Sequence, residues 1–166
     1  PQSNPWLQPS PVVAQVELLT IGLERETTMK ITLWILQALL ALLFAMAGLF
    51  KLATPIDELV ASGMTYAADY PWMLYLAGGA EVLGAIGLIL PAATRIKPGL
   101  TPLAAAGLAL VMFLAIGLHL VRGEFAALGG PAVLMALSVF VAWGRWKKAP
   151  ITPRDLRSQS LELSER

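Results

Sequence analysis

The chain has 166 residues, a formal charge of +1, 57% hydrophobic residues and only 14% charged ones, with a mean hydropathy of +0.67. A soluble domain carries about 25% charged residues, so this composition points to one domain built for a membrane. With no cysteine and His119 as the sole histidine, one chain can form no disulfide, no cysteine-ligated zinc or iron–sulfur centre and no bis-histidine haem site. No metal site is expected, and any redox cofactor must be organic, shared between chains or held by a partner.

The first methionine is Met29, followed by Lys30 and an apolar run. Residues 1–28 therefore read either as sequence upstream of the native start or as a cytoplasmic tail whose 12–23 stretch rests on the membrane surface. Four apolar runs follow, over 31–50, 72–90 and 100–121, the fourth beginning between Ala126 and Pro131 and ending near Trp143. Each approaches the roughly 20 residues needed to cross a hydrocarbon core about 30 Å thick. Pro71, Pro91, Pro98, Pro102 and Pro131 fall at or near the run boundaries, where a missing backbone donor does least harm. Gly129-Gly130-Pro131 leaves open a break within a longer fourth helix.

The first run has a rival reading as a signal peptide, with Ala45-Met46-Ala47 as its cleavage site. Against it, the run exceeds the usual apolar core of about 7–15 residues. The connection over 54–70 holds Pro55, Asp57, Glu58, Gly63 and Asp69. It is long for a bare loop and predicts a short surface helix over 55–64 covering the outer mouth. Residues 151–166 are polar and mixed in charge, as in a mobile tail.

Arg25 and Lys30 precede the first run, Arg95 and Lys97 follow the second, and Arg145, Lys147 and Lys148 follow the fourth. Only Lys51 and Arg122 flank the runs on the other side, so the positive-inside rule places both termini in the cytoplasm. Trp34, Trp143 and Trp146 would mark the inner interface, and Phe50, Tyr70, Trp72 and Tyr75 the outer one. The expected fold is all-α, an integral membrane antiparallel four-helix transmembrane bundle over 29–148, with a short outer surface helix between spans 1 and 2. Tails of 1–28 and 149–166 flank it.

Glu81 lies near the middle of the second run. A carboxylate there costs at least about 2.5 kcal/mol to insert, and such groups are functional by default. Its helical neighbours Ala77, Gly78, Gly84 and Ala85 are small, as close helix packing in lipid demands, so the side chain should face the bundle. Gly48, Gly78, Gly84 and Gly87 are the expected packing contacts. On the first run Gln37, Ala41, Ala45, Gly48 and Lys51 share a face, and by height Gln37 comes within reach of a hydrogen bond to Glu81. Lys51 and His119 stand near the outer ends of their helices, where direct contact with Glu81 is not expected. The candidate polar core is thus Glu81, Gln37, Lys51 and His119.

Each of these residues also has a plainer reading. Glu81 can tie helices together, Lys51 can extend to the interface, His119 can sit in interfacial water, and Gln37 can serve packing. Ser62 and Ser138 have no evident base, so no catalytic set appears. Arg145, Lys147 and Lys148 read as an interface anchor rather than a nucleic-acid patch.

Three segments, GLFKL at 48–52, GGAEVLGAIGLILP at 78–91 and LAAAGLALVMFLAIGLH at 103–119, resemble the DoxX-like family of small four-span bacterial membrane proteins. The resemblance covers about 31–146 and implies a bundle in the inner membrane, with Lys51, Glu81 and His119 matching the family's polar signature. It further implies a non-autonomous role, at most as a subunit of a membrane oxidoreductase assembly. A quinone is the suggested small-molecule partner, beside the lipid bilayer, oxidoreductase subunits or further copies of the chain. A purely structural subunit and a small oligomeric transporter are the alternatives.

Overall fold

The computed structural model describes residues 10–154 and is entirely helical in its regular structure there. The ends of both tails, 1–9 and 155–166, lie outside the described residues. Helix α1 spans Pro11–Ala53, α2 Ile56–Ala61, α3 Tyr66–Asp69, α4 Pro71–Thr94, α5 Leu100–Val121 and α6 Gly129–Trp143. A 3-10 turn over Phe125–Ala127 leads into α6, and a π turn over Gly144–Lys148 continues it. Four of these segments are long and apolar enough to cross a membrane.

Each long helix packs against its neighbour in the chain, and α1 closes the bundle against α6. On α4 the buried positions are Leu74, Gly78, Glu81, Ala85, Leu88 and Ala92, an alternation of three and four residues that keeps one stripe facing a partner helix. Helix α1 carries a matching stripe of Leu33, Gln37, Leu40, Phe44 and Gly48. Leu76, Leu83, Phe113 and Leu114 point away from the bundle, each more than 60% exposed. Such an apolar exterior suits lipid, not water.

The first helix is far longer than the apolar run alone. No break separates 12–23 from the span, so that stretch continues α1 rather than turning onto a surface. Ser10 caps the helix, Pro11 occupies its first turn, and a Glu26–Lys30 ion pair of 3.0 Å bridges the junction. Its 43 residues at about 1.5 Å each measure about 65 Å, more than a bilayer core needs.

The connection over 54–70 forms two short helices instead of one. Gly63, at φ +107°, ends the first with a conformation open mainly to glycine. Leu59 and Ala67 are buried together with Leu74 of α4, so α2 and α3 cover one end of the bundle. That end is called the capped end below. The opposite, basic end carries Arg95, Lys97, Lys147 and Lys148.

Two of the prolines expected at or near boundaries lie just inside helix ends. Pro91 is inside α4, three residues before its last, and Pro102 is the third residue of α5. Pro131 sits in the first turn of α6, so the Gly-Gly-Pro sequence starts that helix rather than breaking it.

Candidate polar site at the capped end

Helices α1 and α4 touch backbone to backbone. A Cβ added at Gly48 would lie 2.7 Å from the Gly78 carbonyl oxygen, and one at Gly78 would lie 3.1 Å from that of Gly48. No side chain fits in that crossing, and Glu81 and Lys51 stand one turn from it. Helical side chains lean toward the N-terminus of their own helix. In an antiparallel pair, Lys51 on α1 therefore leans inward from the capped end while Glu81 on α4 leans outward to meet it. The two form a direct ion pair between Lys51 Nζ and Glu81 Oε1.

The absence of contact expected from helix heights is thus corrected. Counting Cα positions leaves out both the lysine's length and this opposed lean. Glu81 is 1% exposed and the Lys51 side chain 15%. The second carboxylate oxygen, Oε2, is buried and has no hydrogen-bond partner among the described residues.

Gln37 is not beside Glu81, contrary to the sequence expectation. Its Nε2 donates to the Leu88 carbonyl at 2.7 Å, and its Oε1 accepts from Arg145 Nε. Seven residues, about 10 Å of helix, separate Leu88 from Glu81. Gln37 therefore belongs to the basic end. Gly84 and Gly87 lie against α5, where an added Cβ would meet Leu108 Cδ2 at 2.5 Å and Ala104 Cβ at 2.7 Å.

His119, for which the sequence predicts no contact with Glu81, is held by Glu124. Helix α5 ends in a Schellman arrangement: the Glu124 amide donates to the His119 carbonyl at 2.9 Å and the Gly123 amide to that of Leu120 at 3.1 Å. Gly123 supplies the required positive φ of +71°. This reversal folds Glu124 back onto the helix end. There Glu124 Oε2 lies 2.8 Å from His119 Nδ1, and Oε1 accepts from Arg122 Nε at 2.9 Å. Thr65, just before α3, accepts from Arg122 at 2.7 Å and donates to Glu124 at 3.3 Å. The cap is thereby fastened to the far side of the bundle.

The hydrogen bonds from Arg122 and then His119 hold the Glu124 carboxyl below its ordinary pKa. Tyr66, the next residue after Thr65, is pushed up, first by burial and then by the charges of Glu81 and Glu124. Its phenol thus feels both clusters. The capped end presents a buried carboxylate–ammonium pair with a free acceptor, a half-buried tyrosine and a four-residue latch. Glu124 and Tyr66 were missed at the sequence level. The signal for Glu124 was Arg122-Gly123-Glu124 directly after a helix, a glycine-terminated end that returns the next side chain.

Arg145 is a third departure. It is 4% exposed and faces the bundle, whereas Lys147 and Lys148 are exposed. Its spacing from the buried Ser138, Val141 and Ala142 continues the inner stripe of α6 into the π turn. No curated protein and no solved structure matches the chain. A model of the DoxX-like family matches residues 35–141, from the middle of α1 to near the end of α6, and the chain belongs to that family.

Proposed function

We propose that this chain is a membrane-embedded binding subunit, not an autonomous enzyme, and that its Lys51–Glu81 pair receives the polar head of a small amphipathic molecule. The reading is supported above all by Glu81 Oε2, buried and unpartnered while Oε1 is taken by Lys51. A carboxylate serving only to tie helices would have both oxygens satisfied. Here a free acceptor stands beside an ammonium that has donors to spare. Expected from the family and the charge pattern, the setting is a redox-related assembly of the bacterial inner membrane with both termini cytoplasmic. Oxidoreductase subunits or further copies of the chain would be its partners there.

A quinone/quinol head fits this donor and acceptor set: Lys51 would donate to a carbonyl of the oxidised ring, and Glu81 Oε2 would accept from a hydroxyl of the reduced quinol. Bound there, a quinone would supply two-electron carrier chemistry. The chain itself would orient the ring, hold a proton at Glu81 and keep bulk water away with the α2–α3 cap. The tight Gly48–Gly78 crossing leaves no slot between α1 and α4, so the head approaches from the side where Lys51 is partly open. Gln37, committed to Leu88 and Arg145, does not position the ligand, and His119 acts through the latch.

The alternative is a structural subunit, favoured by the closed Lys51–Glu81 contact itself. Glu81→Gln separates the two. It keeps size and most hydrogen bonding, and titration with a short-chain quinone in detergent should show affinity reduced at least about tenfold, a loss typical of a charged hydrogen-bonding partner. Wild-type affinity in that variant removes the ligand role. A Lys51→Met, Glu81→Leu double variant that melts well below the native chain would favour the structural tie. Replacing a buried ion pair by apolar residues is otherwise often neutral or stabilising.

A further inference from the structure

The basic end holds a second buried charge, and among the described residues no carboxylate answers it. Arg145 Nε donates to Gln37 Oε1, Nη1 makes a long 3.4 Å bond to the Ala149 carbonyl, and Nη2 is buried without a partner among the described residues. The Trp34 ring lies over the guanidinium, 5.2 Å from its carbon. The ion pairs found among the described residues all lie elsewhere. A lone buried ion is costly to hold, and neutral partners alone give no reason for a cation in this place. Among the described residues two further buried hydroxyls are unpartnered: Ser138 on α6, seven residues before Arg145, and Thr101, at the start of α5.

We propose that Arg145 is the centre of an anion site that takes the phosphodiester group of a net-anionic phospholipid. The guanidinium Nη2 supplies a charge-assisted hydrogen bond to a phosphate oxygen. The buried Arg145 cation itself repels the cationic groups of zwitterionic lipids and so sets the preference for net negative charge. The exposed Lys147 and Lys148 add only a diffuse, solvent-screened field. Inorganic phosphate carries the same oxygens. The lipid is favoured because Trp34, which lies over the site, is 39% exposed on an apolar face and gives an entry from the bilayer. This inference is independent of the capped-end reading, and Arg145 falls outside the family-matched segment.

The test is native mass spectrometry of the full chain in mixed micelles of phosphatidylglycerol and phosphatidylcholine, with a thermal-shift titration of inorganic phosphate alongside. The native chain should retain phosphatidylglycerol over phosphatidylcholine by at least about fivefold, as expected for one well-placed basic contact. Lys147→Gln with Lys148→Gln should keep most of that preference, and Arg145→Gln should lose it. Protection by phosphate alone, absent in Arg145→Gln, would keep the anion site and make its occupant soluble. Equal retention of both lipids together with no phosphate effect overturns the proposal, as does a preference abolished by the paired lysine substitutions. If Arg145→Gln does not fold, the native chain and the lysine variant still decide.

Discussion

At the residue scale, the decisive contact is Lys51 to Glu81. Lys51→Met leaves a carboxylate buried without its cation and should cost about 3 kcal/mol, the lower end for breaking a buried pair because the lysine is partly exposed. Thermal unfolding of the single variants and the Lys51→Met, Glu81→Leu pair would close a double-mutant cycle, with a coupling of at least about 1 kcal/mol expected. A coupling near zero would mean that the two side chains do not interact. Glu81 was legible in the sequence because a charge among small residues in an apolar run has few explanations. Its partner was not, because heights along an ideal helix carry no information about side-chain lean. The same limit hid Arg145, whose place in a run of basic residues outweighed its spacing from Ser138 and Ala142.

At the element scale, small residues decide how closely the helices approach. Gly48→Ala puts a methyl group against a backbone oxygen that cannot yield, so α1 and α4 must separate. The expected cost is about 1–3 kcal/mol, together with weakening of the Lys51–Glu81 pair. Gly79, one residue from Gly78, meets nothing within 4 Å. Gly79→Ala should therefore leave the melting temperature unchanged or raise it, since alanine favours the helix by about 1 kcal/mol. A melting curve of each variant in detergent checks the contrast. The spans themselves were readable because lipid imposes both a length and a composition. The lengths of α1 and of the cap helices were not, since a helix that runs on beyond the length a bilayer core needs, and a glycine that divides a short one, obey local rules weaker than hydropathy.

At the scale of the whole molecule, two buried polar centres lie near opposite ends of one bundle. Gln37 and Lys51 are fourteen residues apart on α1, about 21 Å. The cap over the Lys51–Glu81 end depends on Glu124, whose pKa is depressed by Arg122 and His119. A carboxyl with a lowered folded pKa contributes stability that is complete above its unfolded value, about 4.3, and is lost as pH falls through the lower folded value. Protease cleavage within α2–α3 should therefore be slow at neutral pH and accelerate below about pH 4. Glu124→Gln should be cleaved faster already at neutral pH and lose most of that acid dependence. A cap equally resistant at both pH values would show that the latch does not hold it.

Gentle detergent extraction of native and Glu81→Gln chains, followed by mass spectrometry of the small molecules each retains, reaches the binding claim most directly. The account predicts one amphipathic molecule, near one per chain, on the native protein and its loss from Glu81→Gln with the helical content intact. The same cargo on both, or none on either, would contradict it.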